Sequence, residues 1–142
     1  MTAFPIGSYD GWRVKLPFDY HASILVVDDQ PQMVHLIERY IRKIGFDNVE
    51  HTTDGAEALN MVRNKRYWVV ISDLNMEPVG GLQLLRAVRS DESLRKTRFI
   101  MATGDLNTAN VAAAKWLGVD TYLLKPFSRS QLETKLAELI GR

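Results

Sequence analysis

The chain contains no cysteine. Disulfides and thiolate metal centres are thereby excluded, and a reducing compartment is compatible with the composition. An excess of charge of one sign is missing too. Eighteen Lys and Arg stand against 17 Asp and Glu, for a formal net charge of +1. No global field argues for nucleic acid or a membrane surface. No apolar run approaches the roughly 20 residues that span a bilayer. The opening MTAFPIGSYDGWRVKLPFDY lacks the basic start and apolar stretch of a secretory signal. A cytoplasmic location is the default expectation. Internal repeats and low-complexity stretches are also missing. What is present is a chain of 142 residues, 46% apolar and 25% charged, the size and balance of one domain around a single core.

Residues 1–22 differ from the rest. Pro5, Gly7, Gly11 and Pro17 punctuate them, with Phe4, Tyr9, Trp12, Phe18 and Tyr20 between. They read as an irregular arm. Two readings stay open for it: a tail without fixed structure, or an arm packed on a body or partner. The aromatics are numerous for disorder.

From Ser23 to Arg142 short apolar runs alternate with helical periodicity, which defines the main domain as 23–142. The pattern predicts strands at about 24–27, 48–51, 68–72, 98–102 and 120–124. Between them it predicts helices over 31–44, 55–65, 81–89, 107–117 and 129–140. Met33, Ile37, Tyr40, Ile41 and Ile44 share one face of the first helix, and Gly45 stops it. Asp54 and Ser128 are candidate N-caps. Leu82, Leu85 and Val88 mark the third helix. Five βα units with right-handed crossovers predict an α/β fold with a doubly wound, five-stranded parallel sheet.

Several strands run directly into chemistry-bearing residues. Ile24-Leu25-Val26-Val27 ends in Asp28-Asp29, Trp68 to Ser72 ends in Asp73, strand four ends in Thr103-Gly104, and Tyr122-Leu123-Leu124 ends in Lys125-Pro126. Ligands of open α/β sheets bind outside the carboxyl ends of the strands. Three carboxylates there suit a hard cation such as Mg²⁺, which takes oxygen ligands. A metal also makes a carboxylate an effective nucleophile toward phosphorus. Each residue has a plainer reading on its own: a helix cap for Asp28 or Asp29, a loop position for Asp73, a structural hydroxyl for Thr103, a surface turn for Lys125. The Lys125–Pro126 bond admits a cis form.

The combination VVDD (26–29), SDLNM (72–76), MATG (101–104) and YLLKPF (122–127) resembles the receiver domain of bacterial two-component response regulators, of chemotaxis type with a flavodoxin-like fold. The resemblance covers about residues 23–141. It implies that Asp73 accepts a phosphoryl group from a histidine kinase, a histidine phosphotransfer protein or acetyl phosphate. It implies Mg²⁺ held by Asp28, Asp29, Asp73 and the Asn75 carbonyl, with Lys125 and Thr103 on the phosphoryl oxygens. It implies a switch through Thr103 and Tyr122. The reporting surface would be helix 4, strand 5 and helix 5, with Leu106, Val111, Lys115, Tyr122, Leu124, Phe127 and Gln131 presented to a downstream protein partner. Asn75 and Asp105 would influence phosphoryl lifetime. Direct nucleic-acid or membrane contact is not implied; a monomer or weak homodimer is.

The loop Met76-Glu77-Pro78-Val79-Gly80-Gly81 departs from the commoner receiver pattern. Glu77 intervenes between Met and Pro, and Gly80 replaces an acidic residue, as in single-domain receivers of alphaproteobacteria. The run from Phe99 to Gly104 partly resembles a stress-signalling branch whose members tend to lack an aromatic at the position of Tyr122. The residues after the last predicted helix favour a stand-alone receiver; the alternatives are a receiver excised from a longer regulator and a phosphorylation-independent adaptor. An aspartate-nucleophile phosphatase is disfavoured by Asn75, where such enzymes place an acid/base Asp. Flavin binding is disfavoured by the acidic first turn Asp28-Asp29-Gln30-Pro31. The expectation is a phosphoacceptor switch, with at most self-phosphotransfer and autodephosphorylation, rather than a turnover enzyme.

Overall fold

The apolar runs become five short parallel strands: β1 Ile24–Val27, β2 Val49–Thr52, β3 Val69–Ser72, β4 Arg98–Thr103 and β5 Thr121–Leu124. β1 and β3 are buried along their full length, which is why they read as continuous Ile/Val/Leu runs rather than alternating ones. The computed structural model describes residues 18–104 and 107–141. Residues 1–17 of the arm expected over 1–22, together with Asp105 and the surface position Leu106, lie outside them.

Strand order is β2-β1-β3-β4-β5. The chain leaves β1 toward one sheet edge and returns at β3 to build toward the other. The crevice between β1 and β3 is thus the switch point of the sheet. Strand alternation divides the core into two. Leu25, Val27, Val70, Phe99 and Met101 face one layer, with Leu84, Leu85 and Val88. Ile24, Val26, Ile71 and Ile100 face the other, with Ile37, Ile41, Leu132 and Leu136.

The helices are α1 Pro31–Ile44, α2 Gly55–Asn64, α3 Gly81–Ser90, α4 Thr108–Leu117 and α5 Arg129–Ala137. Pro31 opens α1, where its missing N–H costs nothing. Gly45 ends it at φ 133, with the Tyr20 ring 2.8 Å from where a Cβ would stand, so both torsion and space require glycine. Asp54 caps α2 through the Ala56 amide at 2.9 Å. Ser128 and Gln131 cap α5 reciprocally: the Gln131 amide donates to Ser128 Oγ at 3.1 Å and the Ser128 amide to Gln131 Oε1 at 2.8 Å.

Most boundaries fall within one residue of expectation, and the end of α5 within three. β2 starts one residue later, because the Asn48 carbonyl receives the Ile24 amide at the margin of the ladder. β4 runs on to Thr103. α5 stops at Ala137 rather than 140: the Leu139 and Ile140 amides reach carbonyls three residues back, a tightened last turn.

The described end of the N-terminal arm packs on the body. Phe18 meets Phe46 and Trp68 edge to face, with ring centroids at 5.1 and 6.4 Å. Phe46 stacks on Trp68 at 5.8 Å, and the Tyr20 carbonyl accepts the Asp47 amide at 3.1 Å. This aromatic patch lies at the amino ends of the strands. On the far side, Arg89 of α3 donates to the carbonyls of Thr97 at 2.6 Å and Gly118 at 3.0 Å and pairs with Asp120 at 2.9 Å. It ties the loop before β4 to the end of α4.

Candidate functional site

Register brings the acidic residues together. Val27 pairs with Ser72 across β1 and β3, so the next residues, Asp28 and Asp73, stand side by side, and the Asp73 amide donates to the Val27 carbonyl at 2.9 Å. Thr103 pairs with Leu124 across β4 and β5, which delivers Lys125 to the same edge.

Asp28 is 1% exposed. A carboxylate so buried must be paired. Its Oδ2 accepts from Lys125 Nζ at 2.6 Å, and its Oδ1 from the Gln30 amide at 3.0 Å. Lys125 Nζ also lies 3.6 Å from Asp73 Oδ1. The ammonium therefore bridges two carboxylates. The Lys125–Pro126 bond is cis. Asp73 is half-buried, and its Oδ1 accepts the Leu74 amide at 2.9 Å. Burial raises its pKa above the usual carboxylate range. Lys125 opposes that rise, and Asp28 and Asp29 add to it. Asp29 is exposed at the mouth. Oxygens of Asp28, Asp29 and Asp73 lie within 4.8 Å of one another. A cluster of hard oxygen donors with this spacing fits a hard divalent cation.

Thr103 is buried at the end of β4, and Asn75 is exposed in the loop after Asp73. Tyr122 is half-buried against the layer that holds α3 and α4. The expected outward face divides. Leu124 is 46% exposed while Leu123 is buried, and Lys115 and Gln131 are exposed. Val111 is half-buried. Phe127 departs from expectation: it is buried and packs near Tyr40 of α1, ring centroids 6.2 Å apart. Its position after Pro126 turns the ring inward under α5, so it belongs to the core and not to a presented surface. Trp116 of α4 is 89% exposed.

Sequence reasoning missed one structural residue of the site. A Cβ on Gly81 would stand 2.3 Å from the Asp73 carbonyl, so only glycine lets α3 begin this close to the acidic crevice. The Gly80-Gly81 pair carried that signal. The Glu77–Pro78 bond in the same loop is also cis.

Residues 24–137 match the family model "Response regulator receiver domain". The chain belongs to that family and is a CheY-like receiver, which places it in two-component signalling. Among curated relatives it is 34% identical to the chemotaxis protein CheY of Pseudomonas aeruginosa over 120 residues, covering 84% of this chain and 97% of that one. It is 33% identical to chemotaxis protein CheY-3 of Vibrio cholerae, covering 84% of this chain and 92% of that one. Among solved structures, the chemotaxis response regulator CheY4 of Vibrio cholerae aligns with a TM-score of 0.78 at 29% identity, over 84% of this chain and 99% of that one. The receiver domain of a sensor histidine kinase from Pseudomonas aeruginosa aligns with a TM-score of 0.78 at 28% identity, over 86% of this chain and 99% of that one. That structure has a magnesium ion coordinated in its active-site cleft. Receiver domains of this family interact with histidine kinases and downstream targets. Among the described residues no helix is long and apolar enough to cross a membrane.

Proposed function

We propose that the chain is a phosphoacceptor switch of the cytoplasm, with Asp73 as the acceptor. The carrying observation is the meeting of three carboxylates and one ammonium at the switch point of the sheet. An Asp73 oxygen forms a bond to phosphorus as the phosphorus–nitrogen bond of a donor phosphohistidine breaks, and the imidazole nitrogen leaves with the electron pair. The donor is a histidine kinase or a histidine phosphotransfer protein; acetyl phosphate is the small-molecule substitute. Asp28, Asp29, Asp73 and the Asn75 carbonyl would hold Mg²⁺, which supplies neutralisation of the transferring and attacking oxygens. Lys125 holds Asp73 in place and remains beside the arriving phosphoryl charge, and Thr103 stands ready for a phosphoryl oxygen. Thr103 and Tyr122 then pass the change to α4, β5 and α5, where a protein partner reads it. The chain is not a turnover enzyme in this reading.

The test is intact mass after incubation with acetyl phosphate and Mg²⁺, for wild type and Asp73→Asn. A single phosphoryl adduct on wild type only, abolished by chelator, is expected. An adduct of equal yield on Asp73→Asn would reject the acceptor assignment. The crowded carboxylates also imply that Asp29→Ala raises the melting temperature in the absence of divalent cation, because it removes like charge near Asp73. A lower melting temperature would speak against mutual repulsion there.

A further inference from the structure

A second groove, lined by side chains that carry charged or titratable ends, lies between α1 and the edge strand β2. It is lined by His35, Glu38, Arg39, Arg42, Lys43 and His51. The one carboxylate among its described lining residues, that of Glu38, is already engaged. Glu38 Oε2 accepts from Arg42 Nε at 3.1 Å, and Glu38 Oε1 lies 2.8 Å from His51 Nδ1. The His35 and His51 rings meet edge to face at 5.8 Å. Arg39 and Lys43 are exposed, and neither has a carboxylate at ion-pair distance among the described residues. Three permanent positive charges, with only one carboxylate among them, disfavour a metal cation between the histidines and favour an anion.

The backbone narrows the kind of anion. β2 is an edge strand. The Asn48 and Thr52 carbonyls accept amides from β1 and its following residue. Val49 and His51, at alternate positions, therefore turn their amides and carbonyls outward, away from β1. Such an edge can pair with an extended peptide, and alternate side chains of that peptide then reach one face. Nucleic acid offers no such ladder, and among the described residues no Trp, Tyr or Phe lines the groove to stack a base.

We propose that the α1–β2 groove docks an extended acidic segment of a protein partner. Its backbone runs along the open edge of β2, and its carboxylates meet Arg39, Arg42, Lys43 and the two histidines. This docking is separate from phosphoryl chemistry at Asp73.

The test uses the full chain and a fluorescein-labelled peptide of alternating Glu and Val, read by anisotropy, with Gln in place of Glu as control. Saturable binding of the Glu peptide is expected, weakening as salt rises. The Gln peptide and the double variant Arg39→Glu/Lys43→Glu are each expected to bind roughly tenfold more weakly, as when attractive charges are removed or reversed. Circular dichroism and unchanged acetyl-phosphate labelling would show that the double variant is folded. Equal binding of the Gln peptide, or equal binding by the folded double variant, would overturn the proposal. So would tighter, groove-dependent binding of a single-stranded oligonucleotide.

Discussion

Helices α1 and α4 flank the same sheet, yet they are held by different forces. α1 drives Val34, Ile37 and Ile41 fully into the core, with Met33, Tyr40 and Ile44 packed beside them. α4 buries a single alanine, Ala114, and leaves Trp116 89% exposed. Its ends are held by polar groups instead. Asn107 Oδ1 accepts the Ala109 and Asn110 amides at 2.9 and 3.3 Å, and Arg89 reaches the Gly118 carbonyl. Apolar burial resists displacement along a whole face, whereas end tethers permit a helix to shift between them. The difference implies that displacing α4 costs less than displacing α1, on the side of the sheet that holds Tyr122.

The contrast can be broken by mutation. Ile37→Ala should cost the most, about 3 kcal/mol, because it opens a cavity under a fully buried side chain. Urea unfolding measures this, and a cost below that of Val111→Ala in α4 would remove the distinction. Arg89→Ala comes next at about 2 kcal/mol, since it removes the ion pair to Asp120 and the donors to the Arg95, Thr97 and Gly118 carbonyls. Asn107→Ala should cost about 1 kcal/mol, the worth of a helix cap, and should speed amide exchange in α4 while leaving α1 unchanged. Equal acceleration in both helices would mean that they open as one unit. Trp116→Ala should change stability least, by less than about 0.5 kcal/mol, because the ring covers almost nothing. A larger loss in urea would place the ring against the body.

The same contrast explains what was legible in the sequence. α1 announced itself because its apolar residues recur at helical spacing, and both its Pro31 start and its Gly45 stop are visible as letters. The acidic crevice was legible because Asp28, Asp73 and Lys125 each follow an apolar strand, and strand register does the rest. Phe127 was misjudged because a one-dimensional pattern cannot say which way a ring turns after Pro126. The Arg89 tether was invisible: its partners are carbonyls and one Asp that become neighbours only when α3, α4 and β5 are assembled. Gly81 was visible as a letter, but its reason is the nearness of the Asp73 carbonyl, which only the folded loop creates.

One bond carries a consequence for how the protein comes into being. Lys125 and Asp28 are separated by 97 positions in the chain, yet their side chains meet at 2.6 Å. During synthesis the amino-terminal carboxylates leave the ribosome long before the ammonium that balances them. Asp28 can become buried at favourable energy only when β5 has joined the sheet. The crevice is therefore among the last parts of the molecule to be completed, and a nascent chain lacking β5 has no such bridge.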